Sequence, residues 1–393
     1  MNTIQSVLLS NLDKEPGVSS LSLQCGNVAV RYNQLIAMAL RYRDLYQESQ
    51  IPTRSLVAIV SHTSINSVAA FLGAILGNYI PFYLSPKTDK QLTDVYFETL
   101  KQLISLHKVS IVVMENGSPV AGSIDESIGS IYLNEDENVD QNSVGENLVY
   151  SKIDYSVDAN DIAFLQFSSG TTGLRKGIPV SHRALMSQLR SFGVAFELDR
   201  HDHIVSWLPL YHGMGLIACC LLPILMRVPV TMLDPVAWSA NPVSLFAAVE
   251  INRATRVFMP NFAFNHLAYT VSDSPRYDLS SLRSLVNCSE PCRKYSFDLF
   301  LDRFQSWGVS ENSLQTCYAL AEAVFAVSYS RKMPTALPSE DLVKKEGCEY
   351  LFVDDLSGFL SCGFVLPNTE VRILDEGGRG LDQGQLGEIA ISG

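Results

Sequence analysis

Apolar residues along this chain fall into short runs separated by amphipathic stretches, and that alternation sets the expected architecture. Positions 28–32 read as a strand edge and 33–46 as an amphipathic helix. Leu56–Val60 is an apolar run of strand length, Ile65–Leu76 a buried helix that Thr63 or Ser64 caps, and 80–83 a second strand. A helix at 90–106 and a strand at 109–114 complete the series. Strand, helix, strand, helix, strand predicts a parallel sheet covered on both faces.

From 115 to 161 the chain turns acidic and rich in Gly, Ser and Asn, which predicts surface hairpins and a connection back into the body. The alternation then resumes. Asn241 and Pro242 have the form of an N-cap and first-turn proline for a helix at 243–251. Strands follow at 257–260, 284–287 and 314–318, and helices at 261–271 and 294–305, the latter closed near Gly308. The fold class expected is therefore α/β: two doubly wound parallel-sheet units, with antiparallel hairpin or barrel material at 371–374 and 387–391. Approximate segments are 1–160, 161–327 and 328–393. The run 214–226 is apolar all round, broken by Pro223 and too short to span a bilayer, so it is read as a helix buried between layers.

Composition narrows the function. With 393 residues, 47% of them hydrophobic, the chain can build a large core. A formal charge of −12 and a pI near 5.1 argue against a nucleic-acid partner. Eight cysteines are scattered or lie in apolar runs, as expected for reduced thiols in a cytoplasmic protein, and the N-terminal residues carry no signal-peptide pattern.

The chemistry concentrates where the apolar strand 164–167 runs into Ser168, Ser169, Gly170, Thr171, Thr172, Gly173, Leu174, Arg175, Lys176 and Gly177. Glycines let a backbone approach a ligand, hydroxyls and amides donate to phosphate oxygens, and Lys176 adds a point charge. A Walker loop requires Gly-Lys-Ser/Thr opening a helix, whereas Gly177, Ile178 and Pro179 follow Lys176. Read from its residues alone, the loop is either a polyphosphate cradle or an ordinary strand connection.

This string resembles the phosphate loop of the adenylate-forming superfamily: acyl-CoA synthetases, peptide-synthetase adenylation domains and luciferases. Trp207–Leu216, with Tyr211, His212 and Gly213 at its centre, is similar to one branch, the fatty acyl-AMP ligases. So are Pro260 to Phe264, Asp278 to Arg283 leading to Asn287, Cys288, Ser289, Glu290 and Pro291, Tyr318 to Ala323, and Ser361, Cys362 and Gly363. The resemblance implies ATP and Mg²⁺ as cofactors and activation of a fatty or other apolar acid to an acyl-adenylate with release of pyrophosphate. An acyl carrier protein is the implied acceptor. An acyl- or aryl-CoA synthetase, or a non-catalytic acyl- or nucleotide-binding descendant, are the alternatives.

By the same resemblance, Thr171, Thr172 and Lys176 face the β- and γ-phosphates within a loop that includes Ser168, Ser169, Gly170 and Gly173. Glu322, with Thr171, holds Mg²⁺; Tyr318 stacks on adenine; Cys288, Ser289 and Glu290 edge it, beside Ala319, Leu320 and Ala321. His212 lies near the acyl carboxylate, and Phe262, Phe264 and 216–222 line an acyl tunnel. The chain departs from the family pattern at Arg175, usually Pro, at Gly213, generally Asp in fatty acyl-AMP ligases, and at Cys288 and Ala319, usually Gly. The stretch 328–358 resembles an insertion that restrains the family's C-terminal domain; its bland reading is an ordinary surface loop. That domain carries a lysine which none of these 393 residues supplies, so weak activity is expected from the chain alone.

Other clusters read as structural. His201, Asp202 and His203, and Cys288 with Cys292, form no four-ligand zinc pattern, and Cys219 and Cys220 belong to a buried helix. No Ser-His-Asp order is defensible, since Gly170 and the serines before it lack a nucleophile-elbow context, which argues against a hydrolase.

Overall fold

The computed structural model describes residues 3–12, 20–23, 28–89, 91–133, 157–167, 176–334, 358–382, 385 and 387–393. The chain forms two compact units, each assembled from separated stretches: Met1–Ser187 with Trp207–Ala237, and Gln188–Ser206 with Trp238–Gly393.

In the first unit four parallel strands lie in the order Ile80–Leu84, Leu56–Val60, Ile111–Glu115, Gly129–Leu133. Three are the apolar runs anticipated from the sequence. The fourth falls in the polar stretch expected to form surface hairpins. Gly129–Leu133 buries only Ile131 and Leu133, so an edge strand of this length carries little hydrophobic signal. Ser64 is the cap of Ile65–Leu76: its Oγ accepts from the Ser67 amide at 3.0 Å, while Ser67 Oγ accepts from the Ser64 amide at 3.1 Å. That helix crosses Tyr32–Glu48 at a glycine, since a Cβ on Gly73 would lie 2.4 Å from the Ala39 carbonyl oxygen.

Ile162–Phe167 pairs antiparallel with Gly177–Ser181, and the hairpin packs into the core of this unit. Leu165 joins Phe82, Val112 and Leu103 in one buried cluster, and Phe164 and Phe167 meet Phe71 and Phe82 at ring separations of 5.7 and 5.1 Å. Ser181 then starts the helix His182–Ala195, its Oγ accepting from the Ala184 amide. Ser20–Leu23 pairs with both Val28–Arg31 and Val230–Met232.

The apolar run at 214–226 is fully helical but not uniform: Met214–Leu221 is a π-helix and Leu222–Met226 an α-helix. Pro223 sits at the start of the latter, where a missing N–H costs least. Among the described residues no helix is long and apolar enough to cross a membrane.

In the second unit Ile204–Ser206, Arg256–Met259, Ser284–Cys288 and Leu314–Ala319 run parallel in that order. Ala326–Tyr329 and Phe364–Val365 add antiparallel strands. The crossover helices are Ser244–Asn252, Asn261–Thr270 and Lys294–Phe304. The first starts one residue later than expected and takes no side-chain cap from Asn241, whose carbonyl instead accepts from Ser244 N at 3.1 Å. Gly308 closes the last helical segment at φ +102°, with the Ser280 amide only 2.6 Å from where a Cβ would sit. Glu370–Leu374 and Glu388–Ser392 form the antiparallel pair expected near the end. The stretch at 335–357, the bulk of the insertion read from the sequence, lies outside the described residues.

A buried ion pair organises this second sheet. Arg256 and Asp202, 3% and 1% exposed, are joined at 3.0 and 3.2 Å through two guanidinium nitrogens. Thr255 Oγ1 and Arg283 also donate to Asp202, and Arg256 reaches Ser284 Oγ and lies over the Phe196 ring. The acidic residue between two histidines is thus a structural hub.

Candidate active site

Phe167 and Gly177 face each other in register, so the segment between them leaves and re-enters the hairpin at one place. Ser168, Ser169, Gly170, Thr171, Thr172, Gly173 and Arg175 lie outside the described residues. Lys176, at the return, is exposed. Buried aromatic packing on the preceding strand anchors the loop's root, which is what a cradle for a flexible polyphosphate requires of its scaffold.

His212 is exposed beside Tyr211, with ring centroids 4.8 Å apart, in the turn that opens the π-helix. Its carbonyl accepts from the Leu216 amide at 2.9 Å. π-Helical turns are rare and concentrate at functional sites. Gly215 makes this turn possible, because a Cβ there would stand 2.3 Å from the Pro209 carbonyl oxygen. Gly213, where the family generally has Asp, faces Gln166, whose Oε1 is 2.7 Å from the position of a Cβ.

The strand ends of the second unit are shaped by unusual backbone. Ser284–Cys288 runs out into Ser289 at φ +73°, and Glu290 Oε2 accepts from the Phe262 amide at 3.0 Å, placing a carboxylate on the N-terminus of Asn261–Thr270. Behind this loop Asn287 Nδ2 donates to Asn261 Oδ1, which also accepts from Arg293 N, while Asn261 Nδ2 donates to Ser296 Oγ. Sequence reasoning did not single out this buried polar network, which holds the loop from beneath. Side-chain amides distant in sequence give no local signal.

Tyr318 and Ala319 flank an irregularity in the pairing of Leu314–Ala319 with Ala326–Tyr329, and the turn closes through Leu320 N to Phe325 O at 2.9 Å. Tyr318, Ala319, Leu320 and Ala321 are half-buried; Glu322 is exposed at the tip. Val324, a β-branched residue at φ +68°, holds this turn in a conformation that costs about 1–3 kcal/mol. Among the described residues no group of three or more His, Cys, Asp or Glu surrounds a metal position. An exposed single carboxylate suits Mg²⁺ bound mainly by phosphate oxygens and water.

Phe262 is exposed, whereas Phe264 is fully buried against Phe297 and Phe300 at 5.0 and 5.2 Å. Phe264 therefore serves the core of its unit. Residues 216–222 are likewise buried.

A second polar cluster lies at the carboxyl edge of the first sheet. His62 Nδ1 and its backbone amide both bond Glu115 Oε1, at 2.9 and 2.7 Å. The hydrogen bond with Glu115 raises the His62 pKa, with Asp234 adding to it, and the same bond lowers that of Glu115. A small cavity here is lined by Ser61, His62, Tyr83, Tyr211 and Asp234. The sequence keeps the pair 53 residues apart, and only the adjacent strands unite them.

Two doubly wound units, a hairpin-borne Ser/Thr/Gly loop and strand-end turns define an adenylate-forming scaffold. Residues 18–393 match the AMP-binding enzyme family, and the chain belongs to it. It is 27% identical over 318 residues to the medium-chain fatty acid–acyl-carrier-protein ligase TtuA of Teredinibacter turnerae, covering 79% of this chain and 49% of that protein. The long-chain fatty acid–AMP ligase FadD32 of Mycobacterium marinum is 31% identical over 253 residues, 60% of this chain and 40% of that one. A fatty acyl-adenylate ligase of Legionella pneumophila, solved with acyl adenylate and pyrophosphate, aligns with a TM-score of 0.85 at 25% identity, covering 100% of this chain and 69% of that one. The chain thus spans about half the length of these curated relatives.

Proposed function

We propose that this chain binds ATP and a fatty acid and supports formation of an acyl-adenylate with release of pyrophosphate, the acyl group then passing to a carrier protein. The observation that carries the reading is the buried strand Ile162–Phe167, paired in register with Gly177–Ser181 on the far side of the 168–175 sequence and next to Lys176, in a chain that matches the AMP-binding family along 18–393. Attack by a carboxylate on the α-phosphorus asks the protein chiefly for positioning and charge neutralisation.

Lys176, with Thr171 and Thr172, takes the outer phosphates as a point charge and two hydroxyl donors. Tyr318 offers an aromatic face to adenine and the Cys288, Ser289 and Glu290 backbone its polar edge. Glu322 holds Mg²⁺, which when bound neutralises phosphate charge. His212 positions the carboxylate of the acid. The relatives' printed activities on medium- and long-chain fatty acids support the choice of substrate class.

The test is incubation with ATP, Mg²⁺ and fatty acids of graded length, with acyl-adenylate detected by mass spectrometry and pyrophosphate by coupled assay. Adenylate formed with medium or long chains is the expected result. Failure to bind ATP by calorimetry, together with no adenylate, overturns the reading.

A further inference from the structure

The segment from Cys288 to Cys292 turns from the end of Ser284–Cys288 toward Lys294–Phe304, and it is fastened to one point, the first residues of Asn261–Thr270. Asn261 Oδ1 accepts from Asn287 Nδ2 at 2.9 Å, immediately before the segment, and from Arg293 N at 3.1 Å, immediately after it. One oxygen thus gathers both ends. Asn261 Nδ2 donates to Ser296 Oγ at 3.0 Å, which fixes the way this amide faces, and Asn261, Asn287 and Ser296 are all buried. The middle is held from the next residue, where the Phe262 amide donates to Glu290 Oε2 at 3.0 Å.

Further bonds close the turn on itself and against its surroundings. The Cys292 thiol donates to the Asn287 and Glu290 carbonyls at 3.5 and 3.6 Å. From behind, Leu360 N donates to Cys292 O at 3.0 Å, and Lys294 N to Gly358 O at 2.9 Å. This pinning explains how Ser289 keeps φ +73°, a left-handed conformation that a residue with a Cβ holds only where its surroundings over-determine it.

We propose that Asn261 and the Glu290 carboxylate are positioning residues for nucleobase selection: they hold the peptides of 288–290 in one orientation, so that the site takes adenine and rejects guanine. The proposal rests on the function given above, in which those peptides edge adenine. Neither Asn261 nor the Glu290 carboxylate has to touch the nucleotide for this.

The two bases differ in polarity at position 6, where adenine carries an amino donor and guanine a carbonyl acceptor. A peptide free to turn over can offer either its N–H or its C=O there, and so serves both bases. A fixed peptide serves one and leaves the other with a polar group unpaired or opposed, the kind of mismatch that gives strong discrimination. Selection of this kind therefore depends on what holds the peptide from beneath, and here that is the amide of Asn261 and the carboxylate of Glu290.

The test is calorimetry with ATP and with GTP, each with Mg²⁺, on the full chain and on N261A, S296A, E290A and E290Q, with Tm measured for every variant. The wild type should prefer ATP. N261A and E290A should bind ATP roughly tenfold more weakly, the loss of one well-made hydrogen bond, while GTP binding stays the same or tightens, so the preference narrows. Glutamine keeps an oxygen for the Phe262 amide, and E290Q should recover most of what E290A loses. S296A frees the far side of the Asn261 amide and, with E290A at an exposed position, carries the test if N261A does not fold. A merely structural role predicts a lower Tm with the ATP-to-GTP ratio unchanged; that result, or wild-type affinities in the folded variants, overturns the proposal. A wild type that binds both nucleotides equally overturns the selection alone. A wild type that binds neither overturns the nucleotide reading, and the selection falls with it.

Discussion

Gln166 Oε1 stands 2.7 Å from where a Cβ on Gly213 would lie, so the strand leading into the Ser/Thr/Gly loop and the turn after His212 are fitted to one another. Gly213 has helical dihedrals, φ −55° and ψ −38°, and its crowding neighbour is the far end of a flexible side chain. Gly215 is crowded instead by backbone, the Pro209 carbonyl.

These two glycines should respond differently to alanine. At Gly213 the loss of unfolded-state entropy contributes about 0.4–1 kcal/mol of stability and offsets the displacement of Gln166, leaving a small net change. At Gly215 overpacking against a fixed carbonyl should cost about 1–3 kcal/mol. Urea midpoints of G213A and G215A check the contrast; equal losses would show that Gln166 does not move.

Breaking the Arg256–Asp202 pair should be costly. D202A leaves a buried guanidinium without its carboxylate, and the expected loss is about 3–5 kcal/mol. R283A should cost far less, because Arg283 is 46% exposed at its side chain and water replaces the bond. Denaturant unfolding of the two variants gives the comparison.

Lys176→Ala tests the nucleotide reading at its most accessible residue. Loss of one charged hydrogen bond should weaken ATP binding by about 1.5–3 kcal/mol with folding unchanged, since Lys176 is exposed. Unchanged affinity by calorimetry would remove Lys176 from the phosphate site.

The His62–Glu115 pair gives stability a weak pH dependence. The His62 pKa is raised when folded, so its contribution is full below the unfolded value of about 6.5 and fades as pH rises through the folded value. Glu115 is lowered, so its contribution is present above about 4.3 and is lost as pH falls through the folded value. The wild-type advantage in Tm over H62Q should peak between these limits and shrink toward pH 8. With side chains 46% and 41% exposed, it should not exceed about 1 kcal/mol.

The sequence alone determined the alternation of strands and helices, because apolar runs at strand length and amphipathic runs at helix length are local periodicities set by the backbone. It also carried the strand that leads into the loop, the cap at Thr63 or Ser64 and the family, since motif order survives in one dimension; that the loop closes a hairpin and that Ser64 is the cap came from the structure. Tertiary structure alone decided the rest. Gly129–Leu133 is a strand because an edge is available to pair with, Phe264 faces a core because Phe297 and Phe300 meet it, and Asp202 is a hub because Arg256 arrives from another strand. Leu360 and Cys292, 68 positions apart, share a backbone hydrogen bond only because the segment at 358–363 returns beside the strand ends. Pairing of that kind is long-range: each partner's own neighbourhood in the sequence says nothing of the other, and only the packing of the sheet and its returning segments brings them together.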